Sequence, residues 1–137
     1  MLSQTVKYAL RILGHLGNHP GEWLQGDQIA RATGIPSNYL SKILSQLRKR
    51  GLVHSQKGWG GGFVLDARAS RIPIAEVVEL FDGKREQSSC LFGLSACDPD
   101  NPCPLHSHWD RISKSFDRML ASTTIGDLKT GPASRRN

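Results

Sequence analysis

The chain has 137 residues, enough for one small domain with an appendage, and its 18 Lys and Arg against 12 Asp and Glu leave a net charge of +6. No apolar run approaches the roughly 18 residues of a membrane-spanning helix, and Met1-Leu-Ser-Gln-Thr-Val-Lys7 lacks the basic-then-apolar layout of a secretory signal. Three cysteines, an odd number, argue against a disulfide-stapled secreted fold, so a cytoplasmic chain with reduced thiols and no membrane partner is expected.

Leu2, Val6, Ala9, Leu10, Leu13 and Leu16 recur at helical spacing, with Ser3 placed to cap a first helix and Asn18 to Gly21 to end it. A short extended piece, Trp23-Leu24, leads to a second helix from about Gly26 to Thr33, and Gly34 makes a sharp turn. Ser37, after Pro36, is the expected N-cap of a third helix, whose Leu40, Ile43, Leu44 and Leu47 share one face. Asn38, Ser41, Lys42, Ser45, Arg48 and Lys49 occupy the other face, and Gly51 is placed to end the helix. Helix, Gly turn, helix with a polar and basic outer face is a helix-turn-helix pattern.

Leu52-Val53-His54-Ser55 and Phe63-Val64-Leu65 then predict two strands joined by Gln56-Lys57-Gly58-Trp59-Gly60-Gly61-Gly62. The Gly-rich connection suits a tight reversal, and it is not a phosphate-binding loop because no Gly-Lys-Ser/Thr follows. A basic hairpin directly after a helix-turn-helix reads as a wing. A fourth helix carries Ile74, Val77, Val78 and Phe81 and stops at Asp82-Gly83. A last long helix is expected from about His106 to Ala121, with an apolar stripe of Trp109, Ile112, Phe116, Met119 and Leu120, followed by a helical turn at Ile125 to Leu128.

The expected class is therefore mainly α with a small β-hairpin wing, a winged helix-turn-helix plus a long C-terminal dimerisation helix. Residues 1–83 form the DNA-binding unit, 84–105 a cysteine-rich loop, 106–129 the dimerisation helix and its turn, and 130–137 a disordered polar tail.

Charge placement points to the partner. From Gln28 to Leu65 there is no acidic residue, while Arg31, Lys42, Arg48, Lys49, Arg50 and Lys57 fall in the same window. Such a stripe attracts a polyanion, here double-stranded DNA. Ser37, Asn38, Tyr39, Ser41 and Lys42 open the reading helix, the end that meets base edges. Asn38 and Ser41 suit bases, Arg48 and Lys49 suit phosphate, and Lys57 suits the minor groove. Tyr39 has a competing role in packing. A homodimer on a palindromic operator follows from the spare helical stripe and the two-fold habit of winged helices.

All the cysteines lie in Cys90-x6-Cys97-x5-Cys103, with His106 three residues further. Thiols gathered in one Pro- and Asp-rich loop suggest metal binding. Zinc sites with three Cys and one His favour tighter Cys pairs than these, so zinc ranks below iron–sulfur, and uncoordinated redox-active thiols remain an alternative. His15, His19 and His54 are expected as surface or packing residues, and His108 as a reserve ligand.

Several stretches together resemble the Rrf-type family of bacterial winged-helix transcription regulators, the group that includes IscR and NsrR. They are Tyr8-Ala9-Leu10, Gly34-Ile35, Tyr39-Leu40, Leu47-Arg48-Lys49, Gly51-Leu52-Val53, Lys57-Gly58-Trp59-Gly60-Gly61-Gly62-Phe63, Ile74-Ala75-Glu76-Val77-Val78 and the three cysteines. The resemblance spans about residues 1 to 128. It implies a dimeric regulator, expected to be a repressor, whose operator binding responds to an iron–sulfur cluster sensing redox state, nitric oxide or iron.

Cys90, Cys97 and Cys103 carry over as ligands. His106 matches the fourth ligand of IscR-like members, whereas the Asp used by NsrR-like members corresponds to Lys7. Three Cys and one His favour 2Fe–2S, with 4Fe–4S as the alternative. Competing readings are a cluster-free thiol- or zinc-dependent winged-helix regulator and a metal-carrying protein-interaction module. An enzyme is not expected, because no catalytic triad, paired carboxylates or nucleotide motif is present.

Overall fold

The computed structural model describes residues 2–84, residue 100 and residues 103–130. Helix α1 (Gln4–Gly17) opens as the periodicity predicts, with the Val6 N–H donating to the Ser3 Oγ at 3.1 Å. Helix α2 (Gly26–Thr33) begins in a reciprocal cap, the Gln25 N–H donating to the Gln28 side chain at 2.8 Å. Gly34 ends α2 in the left-handed region, φ +74°, which a residue with a Cβ rarely adopts. Helix α3 (Ser37–Lys49) then turns its apolar face inward.

Ser37 is not the N-cap of α3. Pro36 holds that position, and its carbonyl accepts the first helical bond from the Leu40 N–H at 2.9 Å. Proline's φ of −58° already suits the entry, so Ser37 becomes the first helical residue.

Strands β1 (Val53–Gln56) and β2 (Gly62–Leu65) pair antiparallel, with Val53 opposite Leu65 and Gln56 opposite Gly62. Leu24 adds an isolated bridge to Phe63, with N–H to carbonyl bonds in both directions at 2.9 and 2.8 Å. A 3-10 turn (Ala69–Arg71) leads to α4 (Ile74–Asp82), and α5 spans His106–Ser122 before a 3-10 segment (Ile125–Thr130). The architecture is mainly helical with a two-strand wing.

One core joins these pieces. Val6, Ala9, Ile12, Leu13 and Leu16 of α1 meet Ile29, Leu40, Ile43, Leu44, Leu47, Val77, Val78, Leu120 and Ile125. Removing such side chains from water supplies roughly 1.5–3 kcal/mol each before entropy is counted. The C-terminal end of α5 is tied in by backbone as well as by side chains. The Ile74 N–H donates to the Thr123 carbonyl and the Ile125 N–H to the Ile72 carbonyl, both at 2.8 Å. Among the described residues no helix is long and apolar enough to cross a membrane.

Candidate nucleic-acid interface and metal site

The outer face of α3 is exposed at Ser37, Asn38, Tyr39, Ser41, Lys42, Arg48 and Lys49, as is Lys57 on the wing. A groove of about 470 Å³ runs between α3 and the hairpin. Ser37, Ser41, Ser45 and Arg48 form one wall, Ser55, Gln56 and Lys57 the other, and Phe63 lies among its apolar lining. The hairpin and α3 thus face a common space. Ser45, Ser55 and Gln56 were absent from the sequence-based contact set. Ser45 was within reach of that reasoning, since it lies one helical turn beyond Ser41.

Electrostatics divide the basic stripe. Arg31 pairs with Asp27 at 3.2 Å and Arg50 with Glu76 of α4 at 3.0 Å. Among the described residues no carboxylate lies within ion-pair distance of Lys42, Arg48, Lys49 or Lys57. Among the described residues these four cations are left without an ion-pair partner, on the α3 and wing side. Tyr39 is half exposed, and its ring meets Tyr8 edge-on at 6.2 Å, with the Arg11 guanidinium 5.6 Å from the Tyr8 ring centre. It packs against α1 while still presenting surface outward.

At the wing's base the His54 ring lies 2.6 Å from Asp66, and the Arg68 N–H donates to the same carboxylate at 2.9 Å. The His54 bond, then the Arg68 bond, holds the Asp66 carboxyl below its ordinary value. His54 is therefore a structural partner, as expected. His15 is pushed down by burial and by the neighbouring His19 ring.

Two of the four expected metal ligands fall among the described residues. Cys103 and His106 are both half-buried, and the His106 N–H donates to the Cys103 carbonyl at 3.0 Å. The thiol and the imidazole thus belong to one turn leading into α5. A soft thiolate and an imidazole fit the donor set of an iron–sulfur cluster. Cys90 and Cys97 lie outside the described residues, as do most of the 84–105 loop and the 131–137 tail. Among the described residues no group of three or more His, Cys, Asp or Glu is placed to hold a metal. His108 lies 3.1 Å from the Arg111 guanidinium.

The stripe on α5 divides as well. Leu120 is buried in the chain's own core, and Phe116 packs against that core. Ile112 and Met119 are 55% and 45% exposed and border a shallow cleft with Arg111, Ser115 and Phe116. Trp109 is half-buried.

Residues 2–131 match the family described as Rrf2, iron-dependent transcriptional regulator. The chain belongs to the Rrf2 family. This Rrf2 protein is 35% identical over 130 residues to an HTH-type transcriptional regulator of Aquifex aeolicus (strain VF5), covering 93% of this chain and 90% of that one. It is also 35% identical over 100 residues to the HTH-type transcriptional regulator IscR of Klebsiella pneumoniae (strain 342), covering 73% of this chain and 61% of that protein. The solved structure of CymR, the global cysteine regulator of B. subtilis, superposes with a TM-score of 0.75 at 28% identity, covering 100% of this chain and 98% of that one. The structure of T. potens IscR shares the fold, with a TM-score of 0.71 at 24% identity over 100% of this chain and 92% of that one. The protein is thus a helix-turn-helix transcriptional regulator of a family of regulators rather than of enzymes.

Proposed function

We propose that the protein is a cytoplasmic, homodimeric repressor whose binding to a palindromic operator is gated by an iron–sulfur cluster. Cys90, Cys97, Cys103 and His106 would hold the cluster, with 2Fe–2S favoured over 4Fe–4S. The observation that carries this reading is the Cys103–His106 turn. A thiol and an imidazole enter α5 at one end, while the other end of α5 is bonded into the DNA-binding fold. The Rrf2 family's description as iron-dependent and the likeness to IscR support iron as the bound metal.

When bound, such a cluster would supply a redox-active, chemically labile group. The chain's own residues do the rest. Asn38, Tyr39 and Ser41 face base edges, Ser37 and Lys42 flank them, Arg48 and Lys49 hold phosphate, and Lys57 lies at the minor groove. The exposed Ile112 and Met119, with Trp109 and Phe116 beside them, form the dimer contact on α5. Leu120 anchors that helix from behind.

A second reading is a thiol-responsive regulator without a cluster. The whole-chain likeness to CymR, described as a cysteine regulator, favours it. Anaerobic purification of wild type and His106→Ala, with visible spectra and iron and acid-labile sulfide assays, separates the two. Equal iron and sulfide in the wild type, with the spectrum shifted or bleached in the variant, supports the cluster and its fourth ligand. An unchanged variant spectrum moves that ligand elsewhere. No iron in the wild type after reconstitution refutes the cluster and leaves the thiol regulator.

A further inference from the structure

Trp59 is fully exposed, at 105% of its reference accessibility. It covers nothing among the described residues, so neither core packing nor hairpin stability accounts for a large aromatic ring there. Its mounting is well defined. The Gly61 N–H donates to the Gly58 carbonyl at 3.1 Å, closing a turn with Trp59 and Gly60 at its centre. Gly60 has φ +73°, as the third residue of a type II turn requires. Behind the turn, Gly62 pairs with Gln56, and Phe63 is bonded to Leu24 in both directions. The indole therefore projects from a braced turn rather than from a loose loop. Lys57, two residues away, lines the same groove as the reading face of α3.

We infer that Trp59 is a specificity-determining residue that enters the DNA minor groove beside the half-site read by α3 and selects A·T over G·C pairs there. This rests on the DNA-binding reading above. The chemistry of the indole decides the preference. Its ring N–H donates and cannot accept. The minor-groove edge of an A·T pair presents only acceptors, whereas guanine adds an amino donor that blocks the ring and leaves its N–H opposed. A flat apolar ring can also wedge against a base step.

The test begins with selection of duplexes from a random library by the full-length protein, run on anaerobically purified protein and again after iron removal. In a recovered site, the pairs flanking the half-site are changed from A·T to G·C and to inosine·C. Inosine·C keeps the major-groove face of G·C but lacks the minor-groove amino group. Wild type should bind the A·T and inosine·C flanks alike and the G·C flank about 10-fold more weakly, within the range of aromatic–base contacts. Trp59→Ala should bind all three equally, and Trp59→Phe should keep contact but lose most of the discrimination. Discrimination that persists in Trp59→Ala, or its absence in wild type, overturns the inference while leaving the regulator intact. Failure of the selection in both preparations overturns the DNA-binding reading and the inference with it.

Discussion

Replacing Gly62 by Ala should damage the wing far more than the same change two residues earlier. Gly62 has φ +134°, and holding a residue with a Cβ in such a region costs about 1–3 kcal/mol. A Cβ there would also collide with the Leu24 carbonyl and crowd the Gln25 nitrogen, all of it backbone that cannot swing aside. Relief requires the hairpin to leave Leu24, giving up the two backbone bonds at 2.9 and 2.8 Å, each of net worth about 0.5–1.5 kcal/mol. Gly62→Ala should therefore cost about 3–5 kcal/mol, a large part of the ~5–15 kcal/mol that holds a typical domain. Gly60 has φ +73°, yet nothing lies within 4 Å of the Cβ it would gain, so Gly60→Ala should cost only about 1 kcal/mol. Urea unfolding followed by circular dichroism measures both. At a slope of ~2 kcal/mol per M, Gly62→Ala should lower the midpoint by about 2 M and Gly60→Ala by about 0.5 M. Equal costs, or a Gly62→Ala cost below about 1 kcal/mol, would refute the claim that the wing is clamped against Leu24.

Leu120→Ala should cost about 2–4 kcal/mol in the same assay, because its side chain is buried in the core, whereas Met119→Ala next to it should change monomer stability little. Arg48→Ala and Lys49→Ala should each weaken binding to all DNA sequences and flatten the dependence of log affinity on log salt by about 0.9; an unchanged slope would remove that residue from the phosphate contacts. Asp66→Asn should destabilise the protein at neutral pH, with a penalty that shrinks as the medium is acidified. Asp66 has a depressed folded value, so its stabilisation is complete above the unfolded value of 3.8 and is lost as pH falls through the lower folded value. Urea midpoints at stepwise lower pH check this, and a penalty independent of pH would show that the His54 and Arg68 bonds are not its source.

The order of elements was legible because most of it is periodic. The faces of α1, α3 and α4 repeat at helical spacing, and the glycines at 34 and 51 mark where helices stop. What escaped the sequence was non-periodic or non-local. The cap of α2 uses two glutamines, Gln25 and Gln28, instead of a hydroxyl or carboxylate, so it carries no common signature. The bridges Leu24 to Phe63 and Pro73 to Thr124 are single pairs between distant residues, and one pair leaves no pattern. The stripe on α5 was visible, but periodicity reports only that a face is apolar. It cannot say that Leu120 belongs to the chain's own core while Ile112 and Met119 stay outside. Along the basic stripe, an acid-free window marked where cations gather but not which of them are spent internally. Arg50 bonds to a glutamate 26 residues away, a contact only the fold creates.

The same non-local bonds bear on how a signal at the cysteines would reach DNA. Thr123 and Ile125, beyond the end of α5, bond to Ile74 and Ile72. Ile72 to Ile74 is where the segment that leads from the wing through the 3-10 turn enters α4. Displacing α5 along its axis must therefore break those bonds or pull on the chain that follows the wing. That route is short and made of backbone, but a route alone is not coupling; the two sites must shift one equilibrium. Thermodynamic linkage supplies the decisive measurement. If iron held through Cys103 and His106 changes operator affinity by some factor, operator must change iron affinity by the same factor, about 5- to 150-fold for coupling of ~1–3 kcal/mol. Competition for iron with a chelator, with and without saturating operator duplex, reads that factor, and the reverse titration of operator onto loaded and stripped protein must return it. Unequal factors would mean that the stripped protein has unfolded or dissociated rather than switched. Identical iron affinity with and without operator would show that the cysteine site does not gate DNA binding, whatever metal it holds.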